Sequence, residues 1–107
     1  MEPGKLAHEL ETRGLDWADK DAAFKALDDV TKSLLSQCVA ELNEPDLSMA
    51  AAETRARRSA KYLEHLEALN QARRASNISR VRYDTQKVYV DLLRSREATD
   101  RAQMGMR

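Results

Sequence analysis

The stretch RRASNISRVRYDTQKVYVDLLR, residues 73 to 94, opens with residues that often end a helix and then runs on with no Gly or Pro. Its reading decides whether the second half of the chain is one helix or two. Ser76, Asn77, Ile78 and Ser79 can cap a new helix after a short turn, because Ser and Asn compete for backbone hydrogen bonds outside helices. Against this, Ile78, Val81, Thr85, Val88, Leu92, Ser95, Thr99 and Ala102 follow a seven-residue repeat, as do Met49, Ala52, Ala56, Ser59, Leu63 and Leu66 upstream. The two series are one residue out of phase, and an eleven-residue repeat from 63 to 74 to 85 absorbs the offset without breaking the helix. Neither Gly nor Pro interrupts Asp46 to Met104, so helix is expected over 48–104, with a turn near 74–79 as the alternative.

Working toward the N-terminus, Asn43 and Pro45 break the chain, and Asp46 or Ser48 can cap the next helix. Before them, Ala23, Phe24, Leu27, Val30, Leu34, Leu35, Cys38 and Leu42 step by three and four, which predicts an amphipathic helix over 16–42. Asp16, Asp19 and Asp21 suit its positive end. Leu6 and Leu10 share a face over 5–13, where Gly14 is placed to stop a short first helix. The expected fold is all-α in one domain over 1–107. It is a long-helix hairpin or a three-helix bundle with coiled-coil-like packing, plus the short N-terminal helix.

The core is thin. Of the 107 residues, 16 are Ala, and the aromatics are Phe24, Trp17 and three Tyr, which suits closely seamed helices or a surface completed by a partner better than a globule with a pocket. Trp17 is expected to pack over the end of a bundle, with anchoring in a partner groove as the alternative, while Tyr62, Tyr83 and Tyr89 read as rim residues. Cys38 occupies an apolar helical position and reads as a buried thiol in a reducing, cytoplasmic setting. The opening MEPGKLAHELE has no apolar leader region, and no window has the roughly 18 apolar residues of a membrane span.

No catalytic, cofactor-binding or metal site is expected. His8, His65 and Cys38 complete no zinc-ligand spacing, and three Gly cannot build a phosphate cradle. His65, between Glu64 and Glu67, reads as exposed or salt-bridged, and no small-molecule substrate is implied.

Charge is where the sequence is lopsided. Residues 1 to 46 hold 5 basic and 11 acidic side chains, and residues 47 to 107 hold 13 basic and 7 acidic, so a net −6 half precedes a net +6 half. Arg73, Arg80, Lys87, Arg94 and Arg101 stand seven apart and form one ridge on a helix. Local pairs four apart, Arg80 with Asp84, Lys87 with Asp91 and Glu97 with Arg101, are expected to tie it down. Arg55, Arg57, Arg58 and Lys61 form a second cluster that suits phosphate, yet it also faces acidic helix in any antiparallel hairpin. With Ile78, Thr85 and Leu92 at position a and Val81 and Val88 at d, Asp84 and Asp91 fall at g and Arg82 and Arg96 at e. Ile78, Val81, Val88 and Leu92 are therefore the candidate interface seam. A protein partner or self-association is expected first, and a nucleic acid held by Arg55, Arg57, Arg58, Lys61, Arg73, Arg80, Lys87 and Arg94 second.

The run SRVRYDTQKVYVDLLRSREATDRAQM, Ser79 to Met104, resembles small helical proteins encoded in bacteriophage and prophage genomes, which often end in a similar Tyr-Asp, Lys, Leu-Leu-Arg-Ser and Ala-Thr-x-Arg-Ala pattern. That resemblance implies a setting, the bacterial cytosol during phage growth or lysogeny, and no activity.

Overall fold

The computed structural model describes residues 3–105, and all regular structure among them is helical. Four helices occur in order: α1 (Pro3–Asp29), α2 (Thr31–Leu42), α3 (Met49–Ala56) and α4 (Ala60–Gly105). The chain is all-α, as expected, but several boundaries differ from the expected ones, each for a local reason.

Gly14 stops nothing. Helix α1 runs through it, and Asp16, Asp19 and Asp21 lie inside the helix rather than at its start. The glycine serves packing instead: a Cβ at position 14 would stand 3.2 Å from Cε2 of Tyr83, closer than ordinary contact. Admitting that ring costs about 1 kcal/mol of helix propensity relative to Ala.

The helix expected over 16–42 bends at Val30. The Thr31 hydroxyl donates to the Leu27 carbonyl at 3.1 Å, the acceptor that the Thr31 amide would otherwise use, and such back-bonding bends helices. Val30 keeps right-handed angles (φ −90°, ψ −3°), and its carbonyl still accepts from the Leu34 amide at 2.9 Å. The expected break at Asn43 is present. Asn43 is left-handed (φ 50°, ψ 43°), and its amide donates to the Ala40 carbonyl at 3.2 Å. A β-branched residue is strained there, so Asn43→Val should cost about 1–2 kcal/mol in urea denaturation, whereas Asn43→Gly should stay within about 0.5 kcal/mol of the parent. Ser48 then caps α3, its Oγ accepting from the Ala51 amide at 3.2 Å.

The interruption in the second half falls at residues 57–59, not at 74–79. The Arg58 and Ser59 amides donate to the Arg55 and Ala56 carbonyls at 3.1 and 3.0 Å, and Ser59 Oγ accepts from the Tyr62 amide at 3.3 Å, capping α4. At 76–79 the helix is unbroken because the two serines are engaged elsewhere. Ser76 Oγ donates to Asp21 Oδ1 at 3.2 Å and Ser79 Oγ to Asp16 Oδ2 at 3.1 Å, so neither competes for the local backbone.

Two compact units make up the chain. One joins the residues up to Asp19 with those from Asn77 onward. Within it the partners Glu9 with Gln86, Arg13 with Arg82 and Asp16 with Ser79 rise on α1 as they fall on α4, so the two segments run antiparallel. Trp17 lies against Tyr83 here, ring centroids 5.7 Å apart, packed on a helix rather than over a bundle end. The other unit, Lys20–Ser76, holds the apolar centre: Cys38, Ala56 and Tyr62 are buried, with Leu34, Leu35, Val39, Leu42 and Leu66 packed on them. Cys38 is thus a buried thiol, as expected. Tyr62 is no rim residue, being only 8% exposed. His65 is half-buried rather than exposed or salt-bridged, with Nε2 hydrogen-bonded at 2.8 Å to the Thr31 hydroxyl.

Candidate functional site

Helix α4 has two faces that side-chain chemistry alone does not rank correctly. In the unit containing its C-terminal half, the inner face consists of Ser79, Gln86 and Val90, all buried, with Tyr83 and Leu93 half-buried beside them. Two of these five are neutral polar groups that cross to carboxylates of α1. Ser79 meets Asp16, and Gln86 Nε2 donates to Glu9 Oε2 at 3.4 Å. Among the described residues no buried side-chain nitrogen or oxygen lacks a partner. A hydroxyl or amide can occupy a core position when an acceptor faces it, and bonds to charged acceptors contribute about 1.5–3 kcal/mol each. Leu6, buried on α1, completes the packing.

The candidate interface seam lies on the other side. Ile78, Val81, Val88 and Leu92 are 41, 58, 58 and 63% exposed. At about 100° per residue, the centre of that stripe stands roughly 145° from the centre of the inner face. As a candidate interface seam these residues are on the surface, where an interface requires them. Asp84 and Asp91 edge the stripe on one side and Arg82 and Arg96 on the other, all exposed. Beside the inner face, Leu6, Leu10, Val90 and Leu93 floor a groove of about 340 Å³, with Tyr89, Arg94 and Glu97 at its rim.

The basic candidates separate into two groups. In the unit Lys20–Ser76, three of the four residues in the Arg55 to Lys61 cluster are paired with acids. Arg55 Nη1 bonds Glu44 Oε2, Arg57 lies 3.7 Å from Glu53, and Lys61 Nζ donates to Glu41 Oε1 at 3.0 Å. Hydrogen bonding to Glu41, with its charge, raises the Lys61 pKa above the ordinary lysine value. Arg58 alone in the cluster closes no ion pair among the described residues. Arg73 stays exposed but is engaged, its guanidinium 5.3 Å from the Phe24 ring centre and its Nη1 bonded to Asn70 Oδ1 at 3.3 Å. In the other unit Arg80, Lys87, Arg94 and Arg101 are exposed, and the expected pairs with Asp84, Asp91 and Glu97 are not closed among the described residues. Of the three acids only Glu41 comes from the acidic helix expected to face the cluster, since Glu44 follows α2 and Glu53 is local to α3. Along the ridge the expected local pairs are missing among the described residues because long exposed side chains gain little from being held together.

Because its basic cluster already has carboxylate partners, the full chain should bind duplex DNA only weakly and nonspecifically near 150 mM salt. Gel-shift titration should show that residual affinity falling steeply with added salt. Tight binding lost on replacing Arg55, Arg57 and Arg58 by Ala would contradict this.

Among the described residues, no group of His, Cys, Asp and Glu is arranged to hold a metal ion, and no helix is long and apolar enough to cross a membrane. No family profile matches the chain, and neither a curated protein nor a solved structure is significantly similar to it.

Proposed function

We propose that this protein is a non-enzymatic interaction protein that presents the outward stripe of α4 to another protein surface. The observation that carries this reading is the placement of Ile78, Val81, Val88 and Leu92. They are large apolar side chains left 41 to 63% exposed, and they lie on the side of α4 away from its packed face. Full burial of a Val, Leu or Ile contributes about 1.5–3 kcal/mol, and side chains exposed to that degree forgo roughly half of it, a cost that a partner surface recovers. A contiguous apolar patch bounded by charges is the usual surface signature of a protein interaction site. The setting implied by the C-terminal resemblance is the bacterial cytosol during phage growth or lysogeny, where the protein would act as an accessory to a phage or host protein.

A photo-reactive side chain installed at position 88 should form a covalent adduct with a protein when expressed in bacteria, and one at position 87, on the basic ridge, should not. A nucleic-acid adduct at 87 with no protein adduct at 88 would establish the second reading instead. That reading is favoured by one feature: Arg80, Lys87 and Arg101 close no ion pair among the described residues. It is disfavoured by the acids Asp84 and Asp91 interleaved among them.

A further inference from the structure

We infer that the occupant of the α4 stripe is the same stripe of a second copy, lying parallel to the first about a two-fold axis. This rests on the reading that the stripe meets protein, and its basis is how charge is arranged at the stripe's edges. One edge carries Asp84 and Asp91 and the other Arg82 and Arg96, all exposed. The Asp91 and Arg96 side chains close no ion pair within the chain among the described residues. When two identical helices pair in parallel, the two-fold axis brings the left edge of one against the right edge of the other, so acids meet bases. Antiparallel pairing brings each edge against its own copy, acid on acid and base on base. In the parallel register the g position of one heptad faces the e position of the next heptad on the partner helix, so Asp91 of each copy is set against Arg96 of the other. The apolar layers between them are Ile78, Val81, Val88 and Leu92, and Thr85 supplies a small layer among them. This stripe is self-complementary in a way that a face evolved only for a dissimilar partner need not be.

The test is sedimentation equilibrium of the full-length chain across a wide concentration range, with circular dichroism on every variant. The wild type should pass reversibly from monomer to dimer. Val88→Asp should keep its helical spectrum, since Val88 is already solvent-exposed, and should weaken the dimer by at least about a hundredfold, because the charge enters the interface twice. Asp91→Arg and Arg96→Asp should each weaken it by about tenfold, and the double variant Asp91→Arg with Arg96→Asp should recover most of the affinity. A folded chain that stays monomeric at every concentration would overturn the inference, as would a dimer indifferent to Val88→Asp. A dimer that the charge exchange fails to rescue would overturn the parallel arrangement on which the inference stands. A monomer that nevertheless yields an adduct with a different protein at position 88 would refute self-pairing alone and leave the interaction reading standing, whereas no protein adduct of any kind at 88 would remove both.

Discussion

Tyr62→Ala should lower the unfolding free energy by about 3–5 kcal/mol, whereas Tyr89→Ala should change it by no more than about 0.5 kcal/mol. The two tyrosines are alike in the sequence, each on α4 among charged neighbours, and the difference comes from what faces them. Tyr62 is 8% exposed and packs in one cluster with Cys38 and Ala56, walled by Leu34, Leu35, Val39, Leu42 and Leu66. Truncating it removes a ring's worth of transfer energy and leaves a void lined by side chains anchored on three helices, α2, α3 and α4, which limits collapse around the vacancy. Tyr89 is 47% exposed at the rim of a groove, where its loss opens no cavity. Urea titration monitored by helical circular dichroism measures both. Equal effects would mean that the apolar centre of the Lys20–Ser76 unit does not hold that unit together.

Helical content was legible throughout, because steps of three and four persist through Phe24, Leu27, Leu34, Leu35 and Cys38 and again along α4. The stop at Asn43 and the cap at Ser48 were legible as well, since Asn, Pro and Ser carry their conformational preferences locally. The inner face of the C-terminal half was not. Periodicity ranks positions by apolarity, and Ile78, Val81, Val88 and Leu92 outrank Ser79 and Gln86 on any such scale. Serine and glutamine become core residues only through distant acceptors, Asp16 and Glu9, and a single strand of text does not display what lies across a helix pair. One trace was present. Glu9 and Asp16 stand seven apart, as do Ser79 and Gln86, so matching polar heptads on two helices marked the shared seam. Gly14 misled for a related reason: its role is set by Tyr83, far along the chain, and not by its neighbours.

The functional candidates divide in the same way. The Arg55 to Lys61 cluster is recognisable in the sequence as a cluster facing acidic helix, but Glu41 is singled out only once α2 is placed, and Glu44, beyond the helix, carries no such signal. The exposed stripe was recognisable as a seam, and its being unused inside the chain is a property of the fold.

That α4 turns Val90 inward and Val88 outward is the premise of both the proposed function and the inferred self-pairing. The most direct measurement compares Val90→Asp with Val88→Asp in urea denaturation, at concentrations low enough to keep the chain monomeric. Val90 is 8% exposed and Val88 58%. A carboxylate at 90 would be desolvated beside Leu6 and Leu10, and Arg94, one turn on at the rim of the same groove, can reach it only if it leaves the packed face, so Val90→Asp should cost at least about 2 kcal/mol. At 88 the same carboxylate stays in water, and the stability should remain within about 0.5 kcal/mol of the parent. The reverse order, with Val88→Asp unfolding the chain and Val90→Asp tolerated, would place the apolar stripe in the core and contradict the presented face.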